Sequence, residues 1–198
     1  MNKKIIWISS FPKSGNTLIR CFLAQYLFGE NKEFSFDIIK NIRKFESWPV
    51  FNQVIDSNKI QTSNFGQYKH FIDIQRKLIQ KFNQNNLFFK THHFYGEVNN
   101  CKFTSEETTL LFIYLIRDPR EVLVSYSKHS NMIPEELIDS FVSDNTMLNF
   151  ELDSIINWKL HYKSWKSFIK VPSIFIRFED LIDDPNTYFK KILDFLSK

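Results

Sequence analysis

Ile5-Ile6-Trp7-Ile8-Ser9-Ser10-Phe11-Pro12-Lys13-Ser14-Gly15-Asn16-Thr17-Leu18-Ile19-Arg20 is the stretch that decides how the chain is read. The run Ile5 to Ile8 is continuously apolar, as expected of a parallel strand buried on both faces. It breaks at Phe11-Pro12, and a helical pattern starts near Gly15 to Thr17 and continues to Gly29. A strand, a short loop carrying Lys, Ser, Gly and Thr, and a helix N-terminus together make an anion site. Free backbone N–H groups and the positive end of the helix dipole converge there on one ligand. Lys13 adds a mobile charge, Thr17 a hydroxyl, and Gly15 a backbone that a phosphate can approach closely. Lys13 precedes the glycine and Gly-x-x-x-x-Gly-Lys-[Ser/Thr] is absent, so this is not a Walker A loop. Taken alone, it is also compatible with an ordinary strand-turn-helix connection whose lysine is solvated.

The surrounding composition fits one domain. A chain of 198 residues, 43% of them hydrophobic, is long enough for one packed core and short for two. Twenty-two Phe against four Gly predict an aromatic-rich interior. A net charge of +4 suits an anionic ligand, but no dense Lys/Arg block marks a nucleic-acid surface. Cys21 and Cys101 stand alone without a C-x-x-C or paired histidines, which argues for two free thiols rather than a zinc site. The basic start, Met1 to Lys4, leads into an apolar run too short for a signal peptide. No stretch approaches the roughly 20 apolar residues of a membrane span. The expected setting is the cytoplasm.

Apolar strands alternate with helical patterns along the chain. Helices are expected over 15–29, with Leu18, Phe22 and Leu27 buried, over 34–47 and over 67–84. Residues 48–66 look irregular and suit a substrate-side loop. Leu87 to Phe89 form a short strand leading into Lys90-Thr91-His92-His93, and 109–116 form the clearest buried strand. That strand runs into Arg117-Asp118-Pro119-Arg120, where a helix begins with Pro in its first turn. Residues 135–150 read as partly helical, 151–169 as a longer helix, 173–177 as a strand, and the chain after Asp184-Pro185 as a final helix. The fold class is therefore α/β, a three-layer domain with a central parallel sheet flanked by helices. In such sheets ligands sit beyond the carboxyl ends of the strands, where the Lys13, His92 and Arg117 segments all fall.

Three of these segments carry chemistry. Arg117 ends a strand and Ser125 lies about two helical turns further on, a guanidinium fork plus a hydroxyl suited to a phosphate monoester. Without other context, Arg-Asp-Pro-Arg is equally a structural ion pair capping a helix. Lys90 and His92 supply a cation and a base that titrates near neutrality. A lone histidine after a strand is more often structural. The pairs Asp183-Asp184 and Glu106-Glu107 lack partners for a metal, and no metal is expected.

Phe11-Pro12-Lys13-Ser14-Gly15-Asn16-Thr17 resembles the 5′-phosphosulfate loop of the sulfotransferases, which transfer a sulfuryl group from the nucleotide PAPS to an acceptor. Arg117 to Tyr126 resembles that family's 3′-phosphate motif, and Lys90-Thr91-His92 its base segment, so the P-loop-like version of the α/β fold is implied. By this resemblance Lys13, Ser14, Gly15, Asn16 and Thr17 hold the phosphosulfate, with Lys13 also stabilising the leaving group. Arg117 and Ser125 hold the 3′-phosphate. His92 is the general base for in-line displacement, Lys90 contacts the sulfuryl group, and His93 is a fallback base or neutral neighbour. The helix Trp158-x-x-His161-x-x-x-Trp165 and the string Arg177-Phe178-Glu179-Asp180-Leu181 resemble later framework of the family. There Trp158, His161 and Trp165 are packing residues, Glu179 and Asp180 hold turns, and Phe178 is a nucleotide contact.

The resemblance covers Ile5 to Leu196 with the motifs in family order, and it has three departures. Leu18 stands where many relatives have a Trp stacking on adenine, and Phe178 where a Tyr is common. The sequence stops at Lys198, before the family's Arg-Lys-Gly and Gly-x-x-Gly-x-Trp-Lys segment, so the expectation is a single domain over 1–198 lacking that nucleotide cover. The lead reading is a PAPS-dependent sulfotransferase releasing PAP, acting on a small-molecule or carbohydrate hydroxyl or amine. A non-catalytic PAP-binding remnant or subunit, and a P-loop kinase, are the rivals. The acceptor and any homo-oligomer are not legible.

Overall fold

The computed structural model describes residues 3–30, 33–62, 65–82, 86–143, 147–150 and 153–197. Strand β1 (Ile5–Ser10) leads into helix α1 (Asn16–Phe28). A 3₁₀ turn over Phe36–Asn41, strand β2 (Arg43–Lys44), the short helix α2 (Trp48–Phe51) and helix α3 (Tyr68–Lys81) follow. Strand β3 (Leu87–Thr91) precedes a small antiparallel pair, β4 (Glu97–Val98) and β5 (Cys101–Lys102). Then come strand β6 (Thr109–Ile116), helix α4 (Pro119–Ser130) and helix α5 (Pro134–Val142). A second hairpin of β7 (Met147–Phe150) and β8 (Asp153–Ile156) leads to helix α6 (Trp158–Lys166) and strand β9 (Ser173–Arg177). Helices α7 (Phe178–Asp183) and α8 (Pro185–Leu196) close the described chain.

Five strands form one parallel sheet in the order β2-β3-β1-β6-β9. β1 is the middle strand, and all six of its residues are buried. The chain leaves β1 toward β3 on one side and β6 on the other, so the strand order reverses at its carboxyl end. That reversal opens the crevice in which such sheets bind ligands. The register brings Ser9 beside both Thr91 and Tyr114, and Ile116 beside Arg177, so the ends of four strands converge.

Side-chain alternation sorts the two faces by chemistry. Trp7, Phe112 and Tyr114 point to one side, where they join Phe45, Phe71, Phe103 and Trp165 in an aromatic core. Ile8, Ile113 and Leu115 point to the other, where Ile19, Leu23 and Ala24 of α1 and Ile192 of α8 complete an aliphatic core. The fully buried aromatics expected from composition thus concentrate on one face of the sheet, with a smaller group, Phe11 and Phe141, beside α4 and α5. Cys21 and Cys101 are free thiols.

Three local expectations need correction. Of residues 34–47 only Phe36–Asn41 are helical, as a 3₁₀ turn, and Arg43–Lys44 are a strand. Arg20 donates from Nε to the Ile42 carbonyl at 2.9 Å and from Nη2 to the Ile39 carbonyl at 3.4 Å, and β2 pairs with β3. Ile42 packs in the aliphatic core and Phe45 in the aromatic one. Opposite faces at odd spacing belong to a strand. In α1 the core face is Ile19, Leu23 and Ala24, one residue on from the expected Leu18 and Phe22; Leu27 is 37% exposed. The long helix expected over 151–169 covers only Trp158–Lys166. Ile155 and Ile156 lie in β8, and Asn157 caps α6 by accepting from the Leu160 N–H at 2.8 Å.

Candidate active site

The loop between β1 and α1 is shaped by two backbone residues of left-handed conformation, Lys13 (φ 65°) and Gly15 (φ 91°). Alternating hand along a short loop makes a concave backbone of the kind that receives anions. Gly15 is the residue preceding the first turn of α1, where backbone N–H groups have no helical acceptors. A Cβ on Gly15 would lie 2.2 Å from Cδ2 of Phe178, so the loop and that ring exclude any larger residue. Ser14 is fully buried, and its Oγ has no protein partner among the described residues. A buried hydroxyl left without a partner is costly, which suits a ligand oxygen there. Thr17 stands exposed at the start of α1. Asn16 instead spends its amide on the protein, donating from Nδ2 to the Ile8 carbonyl at 3.1 Å and the Ser10 hydroxyl at 3.2 Å. It stitches the helix start to the strand end.

Arg117 reaches this loop from the end of β6. Its Nη1 donates to the Lys13 carbonyl at 3.1 Å, and its guanidinium lies 4.7 Å from the centre of the Phe178 ring. Cation and ring attract through the ring's negative face. Glu121 lies 3.5 Å from Arg117 and is itself mostly exposed. Asp118 is occupied elsewhere: it caps α4 through the Arg120 N–H and pairs with the Arg120 guanidinium, which holds its carboxyl down at about 2. Glu179 accepts the Asp118 N–H at 2.9 Å, binding the β6 end to the β9 end. Lys13, Gly15, Arg117 and Phe178 therefore meet in space. Ser125 sits half-buried on α4, and no hydrogen bond joins it to Arg117.

His92 stands just beyond β3. Its Nδ1 lies 2.8 Å from the Ser10 carbonyl, which can only accept, so Nδ1 carries the proton and donates. The neutral ring then keeps its lone pair on Nε2. Burial pushes the His92 pKa well below the ordinary value; the charge of Lys90 adds to this, while the Ser10 contact opposes it. A neutral imidazole with one free lone pair is competent as a base at pH 7. Lys90 sits beside Lys44 in the β2–β3 register, and both positive charges oppose protonation of the ring. His93 is fully buried, bonded through Nδ1 to the Tyr68 hydroxyl at 3.0 Å and stacked on Phe103. Its ring is enclosed by Tyr68, Phe71 and Phe103. Thr91 donates to the buried Glu46 and accepts from the His93 N–H at 2.9 Å.

Residue patterns did not flag Ser10, Asn16's stitching role, Glu46 or the supports behind His92. Main-chain acceptors leave no trace in residue type, and Glu46 looks like any single carboxylate. Among the described residues no group of three or more His, Cys, Asp or Glu is arranged for a metal ion, and no described helix is long and apolar enough to cross a membrane.

Comparison with known proteins points one way. The family model for the sulfotransferase domain matches residues 3–198. Sulfotransferase 1B1 of Canis lupus familiaris is 31% identical over 109 residues, which are 50% of this chain and 31% of that protein. Flavonol 3-sulfotransferase of Flaveria bidentis is 22% identical over 202 residues, covering 96% of this chain and 56% of the relative. Retinol dehydratase, solved with androsterone and the inactive cofactor PAP, superposes with a TM-score of 0.59 at 18% identity, over 98% of this chain and 60% of its own. The chain thus spans a little over half the length of relatives that it matches from end to end.

Proposed function

The chain belongs to the sulfotransferase family, and on that premise we propose that it carries a PAPS-dependent sulfotransferase site. Lys13, Ser14, Gly15, Asn16 and Thr17 hold the 5′-phosphosulfate, Asn16 chiefly through its backbone because its amide is engaged. Arg117 and Ser125 hold the 3′-phosphate, and Phe178 lies against the nucleotide. The residues fit such an anion: a buried Ser14 hydroxyl waits for an acceptor or donor, and the Gly15 cradle has no room for a Cβ. PAPS, when bound, supplies a sulfuryl group on a phosphate leaving group.

His92 removes the acceptor's proton at Nε2 as the acceptor oxygen bonds to sulfur and the sulfur–phosphate oxygen bond breaks. Lys13 offsets the charge that gathers on the released phosphate, and Lys90 faces the sulfuryl oxygens. The observation that carries this reading is the 2.8 Å bond from His92 Nδ1 to Ser10, the last residue of the strand that feeds the anion loop. Base and phosphate site share one anchor. A hydroxyl acceptor of small-molecule or carbohydrate type, a cytoplasmic setting and a single domain complete the proposal.

Calorimetric titration with PAP, beside ATP plus magnesium, is the test of nucleotide class. Tight PAP binding with indifference to ATP is expected. Transfer from PAPS to 4-nitrophenol then isolates the base: His92→Ala should lower it by about 10²–10⁴-fold while PAP affinity holds. Absent PAP binding, or undiminished transfer in His92→Ala, overturns the assignment.

A further inference from the structure

Helix α6 touches the base segment in a way that packing alone does not require. Residues 92–95 have left the sheet, and their backbone groups are met by side chains of α6. His161 Nε2 donates to the His92 carbonyl at 3.0 Å, Trp165 Nε1 donates to the His93 carbonyl at 2.9 Å, and Ser164 Oγ accepts the Tyr95 N–H at 3.1 Å. Positions 161, 164 and 165 share one face of a helix by spacing, so three consecutive contacts come from one rigid element.

His161 has no freedom in this arrangement. A carbonyl can only accept, so Nε2 must carry the proton, and Nδ1 is left as an acceptor. The Tyr114 hydroxyl lies 2.9 Å from Nδ1 and donates to it. Both residues are buried, and Phe11 meets the His161 ring edge-on with 5.6 Å between ring centres. Burial holds His161 neutral, down at about 4. With both nitrogens committed, His161 cannot itself take a proton from an acceptor.

We propose that α6 is a positioning clamp for the base: His161 holds the His92 carbonyl, and Tyr114 keeps His161 in the tautomer that can do so. The clamp rests on the reading of His92 as the base. His92 is then gripped from two sides, its carbonyl by α6 and its ring by the Ser10 carbonyl of β1. Two grips fix where the ring stands and which nitrogen faces the reaction. Release of the carbonyl lets the peptide turn, weakens the bond to Ser10 and mixes the two ring tautomers. His161 and Tyr114 are positioning residues and touch no reacting atom.

The test compares His161→Phe, which keeps an aromatic ring but removes the donor, with His161→Gln, which restores an N–H, and with Tyr114→Phe. ¹⁵N-histidine NMR reads the His92 tautomer, and transfer from PAPS to 4-nitrophenol reads kcat. His92 in the parent protein should show Nδ1 protonated; His161→Phe should move its shifts toward a tautomer average. Misplacement of the base should lower kcat about ten- to hundredfold with KM for PAPS and PAP affinity nearly unchanged. His161→Gln should recover most of the rate, and Tyr114→Phe should fall between. A folded His161→Phe protein with the parent tautomer and kcat overturns the clamp, as does a loss of PAP affinity in step with rate. If His161→Phe does not fold, Tyr114→Phe decides by the same readouts. Should the parent protein bind PAP yet transfer nothing, the sulfotransferase reading fails alone, because the NMR comparison needs no acceptor.

Discussion

The anion loop and the base segment both extend from strand ends of one sheet, yet they are built in opposite ways. Residues 11–16 take their backbone course largely from within, by two left-handed residues, a helix start and the Asn16 amide reaching back to Ile8, with Arg117 and Phe178 closing over the finished loop. Residues 92–95 are shaped from outside, by side chains of α6 69 to 72 positions away and by the Ser10 carbonyl of β1. The difference teaches that a phosphate site can be a local property of the chain, whereas the stance of a general base here depends on tertiary structure. An anion needs only converging N–H dipoles, which a turn provides. A base needs a direction and a tautomer, which two distant anchors provide.

The sharpest way to break this contrast is Gly15→Ala. A side chain at φ 91° and 2.2 Å from Phe178 distorts the loop, so PAP affinity should fall on the order of a hundredfold or more by calorimetry. The His92 tautomer should stay as it was; a change there would show that the two regions are not independently built.

Acidification probes the other region. His161 is neutral when folded and titrates near 6.5 when unfolded, so the unfolded chain takes up a proton that the native state refuses. Its contribution is full above pH 6.5 and is lost as pH falls toward about 4, on the order of 3 kcal/mol across that window. His92 is shifted in the same direction. Urea unfolding at pH 7 and pH 4.5 should show the loss, and a flatter profile in His161→Phe; equal slopes would remove His161 from the account.

Asn16 links the two regions by hydrogen bonding, through the Ser10 hydroxyl, which lies 3.4 Å from His92 Nδ1. Asn16→Ala should cost about 1–2 kcal/mol in urea unfolding, since two buried acceptors lose a donor. It should weaken PAP binding more than it disturbs His92, whose anchor is the Ser10 carbonyl. The smallest effect is expected at Glu121, an exposed carboxylate 3.5 Å from Arg117. Glu121→Gln should raise PAP affinity by about twofold or less, because such exposed pairs are weak.

Much of the fold was legible. The buried strands at 5–10 and 109–116, the helix starts at Pro119 and Pro185, and the parallel α/β plan follow from apolar runs and caps that act over a few residues. The expected helix over 34–47 failed because its apolar spacing fits a helix, while the Arg20 side chain and β3 claim its carbonyls and strand edge. Ile155 and Ile156 joined a hairpin for the same kind of reason: pairing with another strand, here β7 a few residues earlier, outweighs helical periodicity.

The candidate site divides along the same line. Lys13, Gly15, Arg117 and His92 could be nominated from residue type and order, because a phosphate loop is written in consecutive residues. That Arg117 lies on Phe178, that His93 is fully buried and His92 half-buried, and that His161 serves a carbonyl could not. Local backbone preference acts between neighbours in the chain and leaves its mark in sequence. Hydrogen-bond direction, burial and proton position arise only when separate strands and helices close on one another, and the packed sheet decided them.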